Sequence, residues 1–383
     1  MSARLHDDFE RFKRTLPPDV AGYIREAYGI NLTARYLGRT IPHPIGKGSG
    51  QLSLNVEQLE TDRAAGLAFV VLKTVIGENA AGERSMGAWA VHETKMKVER
   101  RTSAAGTEGW TVTWKGRGWD RSFEDYLDLV RAAARFTKAD GMLVVPSVKL
   151  HLPSLDEPFR DDEYRHTIGR IAGAWGDGPL PIEKDFSPTL AGDPLADERG
   201  RILRWLREVP PRIRDAAGAV PVELALKLMN ARFDDAFQSE MIAAAAGADT
   251  LVCFNRLWDA SSAVAYGGYD LSDRNLRVLA AHSRSCAALA GTGNICSGRM
   301  VLEYGRRGCQ CVQLHTCFQL PLREYPATAG SRTQRALHAL LFDPADGLVA
   351  CMSELESTGR LERRNGELHF LDVPAAHAES AAT

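Results

Sequence analysis

The stretch "LAGTGNICSGRMVLEYGRRGCQCVQLHT" (residues 289–316) decides the reading of this chain. It begins as an apolar run and reaches a glycine turn at Gly291–Asn294. A helix-like segment follows, and then a second apolar run ends at Thr316. Two short buried strands flank one helix, with glycines where the first strand stops. Backbone N–H groups in a tight turn and at a helix N-terminus form a ready anion site. The unit therefore suggests a place for a phosphate, provided the rest of the chain repeats the same architecture.

Working outward, strand and helix signals alternate along most of the length, which argues for a parallel sheet. Upstream strand runs are "HPIGKGSG" (43–50), "LAFVVLKTV" (67–75), "MLVVPSVKLHL" (142–152), "LPIEKDFS" (180–187), "VPVELALKL" (220–228) and "TLVCFNR" (250–256). With "AALAG" (287–291) and "CQCVQLHT" (309–316) they make about eight, the number that closes a (β/α)8 TIM barrel. Between them, "DEYRHTIGRIAGAW" places Tyr164, Ile168, Ile171 and Trp175 on one helical face. "RILRWLREV" does the same with Ile202, Leu206 and Val209, and "SEMIAAAAGAD" reads as a helix stopping at Gly247.

Two insertions extend this plan. Residues 76–122 hold "KMKVERRT" and "GWTVTWKG" around a glycine-containing turn, a β-hairpin after the second strand. Residues 188–200, "PTLAGDPLADERG", form a loop after the fourth strand. Both follow strand C-termini, where long loops wall a barrel's active site. The expected organisation is a helical extension over 1–40, a barrel over 41–358, and a C-terminal segment over 359–383. The tail "VPAAHAESAAT" reads as disordered.

Composition narrows the function. The chain of 383 residues is 44% hydrophobic, enough for a large core, and its 47 basic and 49 acidic side chains give a formal charge of −2. Nothing resembles a nucleic-acid footprint, and no apolar run is long enough to span a bilayer. The start, "MSARLHDDFERFKRTLPPDV", lacks the apolar core of a signal peptide. Seven cysteines, all in the C-terminal part, point to reduced thiols in a cytoplasm. Cys309-x-Cys311 is too tight for a metal knuckle and reads as buried structure.

Four strand runs carry a lysine near their C-terminal ends: Lys73, Lys149, Lys184 and Lys227. Lysine is almost never fully buried without a partner, so convergence of some of them at one mouth calls for an anionic or electron-rich ligand. Snorkelling to water is the plain alternative, weakest for Lys73 and Lys227, which have apolar residues on both sides. A glycine turn on the last two strands is a common phosphate site in barrels. Lysines at the other end of the same ligand suggest a phosphorylated planar cofactor, FMN being the natural candidate.

The ordered set of motifs resembles the dihydroorotate dehydrogenase family of FMN-dependent barrels over roughly residues 35–320. "RYLGRTIPHPIGKGSG" is similar to that family's first strand, ending N-P-x-G-x-A-S-G. "FVVLKTV" and "PVELALKLMN" resemble the strands bearing its flavin lysines, here Lys73 and Lys227. "LVCFNR" matches the strand ending in asparagine, here Asn255, and "GGYDLSDRNLRVL" resembles the G-G-L-S-G loop. The opening stretch resembles the flavin phosphate site. The resemblance implies that Ser49, Gly50, Lys73, Lys227, Gly267, Gly268, Gly293, Asn294 and Thr316 hold FMN.

"KDFSPTL" stands where the family keeps its catalytic base, so Ser187 matches the base. It would take a proton as a hydride leaves the neighbouring carbon, with Lys184 as the alternative. The departures fall mainly on the orotate positions: Lys184 and Thr189 stand for asparagines and Arg256 for serine or threonine, while Asn294 replaces a glycine of the phosphate turn. Asn255, Arg256, Lys184 and Thr189 would face substrate. The expectation is an FMN-dependent dehydrogenase or reductase acting on a C–C or C–N bond of a small anionic substrate. Two alternatives are a true dihydroorotate dehydrogenase with drifted motifs and, in another class, a non-catalytic barrel binding a phosphorylated ligand or a partner protein. No iron–sulfur or quinone-tunnel motif is seen, which points to an acceptor that is soluble or a separate subunit. A homodimer is left open, and a metal is not expected.

Overall fold

The computed structural model describes residues 2–87, 91–139, 141–186, 199–231, 233–259, 264–266, 268–282 and 287–374. Its centre is a ten-stranded parallel sheet. In chain order the strands are β1 (Ile45–Lys47), β2 (Phe69–Val71), β3 (Val75–Ile76), β4 (Leu143–Val145), β5 (Ser147–Lys149), β6 (Leu180–Asp185), β7 (Val222–Met229), β8 (Thr250–Asn255), β9 (Ala288–Thr292) and β10 (Cys309–Leu314). They pair in the order β3–β5–β6–β7–β8–β9–β10–β1–β2–β4. The sheet curls with helices against it, an arrangement compatible with a TIM-like barrel.

Ten strands appear instead of a plain ring of eight because two runs are split. Pro146 has no N–H and divides run 143–149 into β4 and β5. In run 69–76, the Lys73 N–H leaves the ladder to donate to the Ser53 carbonyl at 3.0 Å. Lys73 therefore sits between β2 and β3, not within a strand.

The helices alternate with these runs as their apolar spacing implied. α1 (Ser2–Arg11) and α2 (Val20–Tyr28) precede the sheet. α3 (Val56–Ala64), α4 (Phe123–Ala139), α5 (Asp161–Trp175), α6 (Arg199–Ala216), α7 (Asp235–Ala244), α8 (Leu271–Ala280) and α9 (Gly298–Arg306) lie between its runs, and α10 (Arg332–Phe342) and α11 (Leu348–Ser357) follow. α5 buries the face foreseen, Tyr164, Ile168, Ile171 and Trp175. α7 ends at Ala244, earlier than the Gly247 stop, because the Ala245 N–H closes the last turn on the Met241 carbonyl.

The expected hairpin is present: Val91–Thr102 pairs antiparallel with Glu108–Arg117. The N-terminal extension is not purely helical. Ala34–Tyr36 and Arg39–Ile41 form a small antiparallel pair, and Ile30–Asn31 pairs with Leu368–His369. Residues 359–374 are thus tied to the fold, while 375–383, most of the tail read as disordered, lie outside the described residues. Cys309 and Cys311 are buried, at 1% and 0% exposure. No described helix is long and apolar enough to cross a membrane.

Candidate functional site

Successive residues of a strand point to opposite faces. On β6, Leu180, Ile182 and Lys184 share one face, and Glu183 and Asp185 share the other. Register extends the inner face across the sheet: Glu183 pairs with Ser147 and Ala225, and Asp185 with Lys227. A strand buried on both faces ordinarily reads as continuous apolar residues. The charged inner face is therefore the local departure that calls for an account.

Its deeper layer is a connected polar network. The Lys227 Nζ donates to Gln313 Oε1 at 3.0 Å and stands 3.9 Å from Glu183 Oε1. The Gln313 amide donates to Glu183 Oε2 at 2.6 Å and to the Tyr36 hydroxyl at 2.8 Å. Burial pushes the Glu183 carboxyl above its usual range, against the pull of Lys227. A buried ion pair rarely stabilises a fold relative to apolar packing, so retaining one is weak evidence for stability.

Beside it lies a chain of hydroxyls ending in a second buried pair. The Lys149 Nζ donates to Asp185 Oδ2 at 2.8 Å. The Thr74 hydroxyl lies 3.5 Å from the same oxygen, 3.0 Å from Ser147 Oγ and 2.8 Å from Ser49 Oγ. Lys149, Ser147, Thr74 and Asp185 are buried, and Ser49 is half-buried. Burial lowers the Lys149 ammonium pKa, opposed by Asp185.

The loop after β1 passes close over these groups. A Cβ on Gly48 would stand 3.3 Å from both Lys227 Nζ and Gln313 Oε1, and one on Gly50 would overlap the His315 ring. His315 lies within the fields of Arg256, Lys73 and Lys227, and burial first and these cations next hold it neutral, far below the usual histidine range. Arg256 follows Asn255 at the end of β8, where the Asn230 N–H donates to both their carbonyls at 2.8 and 3.1 Å. Lys73, Lys227, Arg256, Ser49 and Gly50 are thus brought together.

The glycine turn has its expected backbone. Gly293 has φ +106° and Asn294 φ +50°, a left-handed region that asparagine tolerates better than most residues. Ser297 caps α9 by accepting from the Met300 N–H. Asn294, read from sequence as a lost glycine, has a task of its own. Its amide donates to the Tyr269 carbonyl at 3.0 Å, Ser272 Oγ at 3.1 Å and the Glu108 carbonyl at 3.4 Å. The last of these belongs to the hairpin, which also reaches α8 through Thr107 and Asp273 at 2.6 Å. Gly268, with φ +140°, lets the Trp110 carbonyl approach where a Cβ would stand 1.8 Å away. The hairpin thus reaches the turn, and Gly268 serves this contact. Thr316 opens a short 3-10 helix after β10.

Lys184 is not brought to this face. It is fully buried on the side of Leu180 and Ile182, its Nζ 4.7 Å from the Phe186 ring centroid and 3.3 Å from the Asp185 carbonyl. Burial, reinforced by Lys149, lowers its pKa to about 7. The unfolded chain keeps that proton to about pH 10.5 while the folded chain sheds it near 7. Stability therefore rises with pH through this window and is least below it. Lys184→Met should add roughly 1–3 kcal/mol at pH 6 and flatten the slope, as read by urea unfolding from pH 6 to 10.

Ser187, Thr189 and Gly267 lie outside the described residues. Sequence reasoning missed Tyr36, Thr74, Glu183, Asp185, Gln313 and His315. The charged triplet Glu183–Lys184–Asp185 inside an apolar run was a signal for two of them, once a period of two is applied. Among the described residues no group of His, Cys, Asp and Glu is arranged to hold a metal. No protein-family model matches the chain, and no curated protein matches it in sequence.

Proposed function

We propose that the chain is an FMN-dependent oxidoreductase acting on a small anionic substrate. In this reading the curled sheet is a (β/α)8 barrel in which runs 69–76 and 143–149 each count as one strand. Pairing of β2 with β4 and of β3 with β5 supports that count. The observation that carries the functional reading is Lys227, buried in the sheet interior under Gly48, where a side chain would intrude. Such an arrangement suits a flat, electron-rich ligand lying against the loop. Asn230 Oδ1 and Glu183 Oε1, both buried without a hydrogen-bond partner among the described residues, also suit a ligand that donates hydrogen bonds.

The residues present fit FMN. Lys73 and Lys227 would face the ring system, and Ser49 and Gly50 would line it. The backbone at Gly293–Asn294 and Thr316 would hold the phosphate, with Gly267 and Gly268 nearby. When bound, FMN supplies a two-electron acceptor or donor of hydride. Arg256 and Asn255 would orient an anionic substrate, and Thr189 belongs to the same proposed set. Ser187 would move the proton. The Ser49–Thr74–Asp185 chain offers a second route for protons to and from the interior.

The protein should purify yellow and release FMN on denaturation. A colourless protein that cannot be reconstituted with FMN would overturn the cofactor and favour a non-catalytic barrel. Dihydroorotate should be a poor substrate. Orotate-type rings need acceptors for their N–H groups, and Arg256 is donor-only, so each unpaired N–H costs about 1–3 kcal/mol. Anaerobic mixing with excess dihydroorotate checks this. Fast bleaching with stoichiometric orotate would identify a true dihydroorotate dehydrogenase instead.

A further inference from the structure

β9 and β10 are parallel neighbours in which Thr292 pairs with Gln313. Four residues beyond each of these partners stands a cysteine, Cys296 and Cys317. The two loops leave adjacent strands at the same level, which sets the Cys296 and Cys317 side chains beside each other. The pair is asymmetric in access. Cys296 is half-buried, whereas Cys317 is 3% exposed with its carbonyl fixed by the Tyr325 hydroxyl at 2.7 Å. The other described cysteines, Cys253, Cys309, Cys311 and Cys351, are each no more than 1% exposed. Of the described cysteines, a small oxidant meets Cys296 first.

We propose that Cys296 and Cys317 are a redox-active thiol pair that closes to a reversible disulfide when Cys296 meets a hydroperoxide. The Cys296 thiolate attacks the peroxide O–O bond, giving a sulfenic acid and releasing hydroxide or alkoxide. The Cys317 sulfur then attacks the sulfenic sulfur and the S–O bond breaks. The Cys317 proton leaves with that oxygen as water. The peroxide is reduced by two electrons and the two thiols are oxidised by two. Cys317 is the resolving partner, because it is 3% exposed while Cys296 is half-buried and open to the oxidant. The cross-link ties the Asn294 turn to the Thr316 turn, the two loops proposed to hold the cofactor's phosphate. That placement alone rests on the FMN reading.

The test treats the full chain with stoichiometric hydrogen peroxide and follows free thiols and intact mass. Two thiols should disappear, the mass should fall by about 2 Da, and dithiothreitol should restore both. Peptide mapping should show one link, Cys296 to Cys317. Cys317→Ser should leave a sulfenic acid on Cys296 that dimedone traps, and Cys296→Ser and Cys296→Ala should take no such label. Far-UV circular dichroism checks that these variants fold. A link between other cysteines, or overoxidation of Cys296 without a link, would overturn the assignment. A protein that forms this disulfide but holds no FMN would sink the functional reading alone.

Discussion

Lys227→Ala should weaken FMN binding by about 2–4 kcal/mol, a rise in Kd of roughly 30- to 1,000-fold. The same change should destabilise the fold by about 3–5 kcal/mol, the usual result of removing one partner of a buried charge pair. Both effects have one origin. Lys227 lies 3.9 Å from Glu183, and Glu183 is fully buried. Without the ammonium, Glu183 keeps, among the described residues, the Gln313 amide and the Tyr36 hydroxyl. Its carboxyl, already pushed up by burial, should be pushed further. A raised carboxyl stabilises below its unfolded pKa and loses that contribution as pH rises. The variant should therefore be less impaired at pH 4 than at pH 8. The double variant Lys227→Met, Glu183→Gln separates the two roles. Stability should return, because no lone charge remains, but FMN affinity should not. Urea unfolding and fluorescence titration of apoprotein with FMN read both. Full FMN affinity in the double variant would make Lys227 a structural lysine.

Much of the fold was legible because buried parallel strands announce themselves as apolar runs and the helices between them keep a 3.6-residue stripe. The hairpin was legible for the same local reason. What stayed hidden depends on contacts remote in sequence. Tyr36 and Gln313 are 277 residues apart, and no local pattern pairs them. The split of the second run at Lys73 follows from a bond to Ser53 in the preceding loop. Lys184 shows a different limit. Its burial was foreseeable from the run it occupies, yet its face follows only from alternation against neighbours whose register the sequence does not supply. Asn294 was read as a departure from a glycine pattern because its partners, Glu108, Tyr269 and Ser272, come from two other segments.

Ser187→Ala should leave FMN in place and slow substrate-driven flavin reduction by about 10²–10⁴-fold, the range for losing a general base. A hydride can leave one carbon readily only if a proton leaves its neighbour, so the base must reach the substrate directly. Two groups near the end of β6 competed for this task. A pKa near 7 would suit Lys184 as a base, but geometry comes before pKa. Its side chain lies with Leu180 and Ile182, on the face opposite Asp185 and the Lys149 pair. Lys184→Met should therefore leave the reduction rate unaltered while raising stability. In the proposed reading Ser187, whose segment resembles that of the base in the dihydroorotate dehydrogenase family, would then carry the step. A serine hydroxyl needs help to accept a proton, and the buried Asp185–Lys149 pair two residues upstream is the nearest described acid–base system in the chain. Stopped-flow reduction of Ser187→Ala, Lys184→Met and Thr74→Val with the same substrate separates the possibilities. An unaltered rate in Ser187→Ala with a slow Thr74→Val would move proton transfer to the Ser49–Thr74–Asp185 chain. A slow Lys184→Met would show that β6 presents its other face to the substrate.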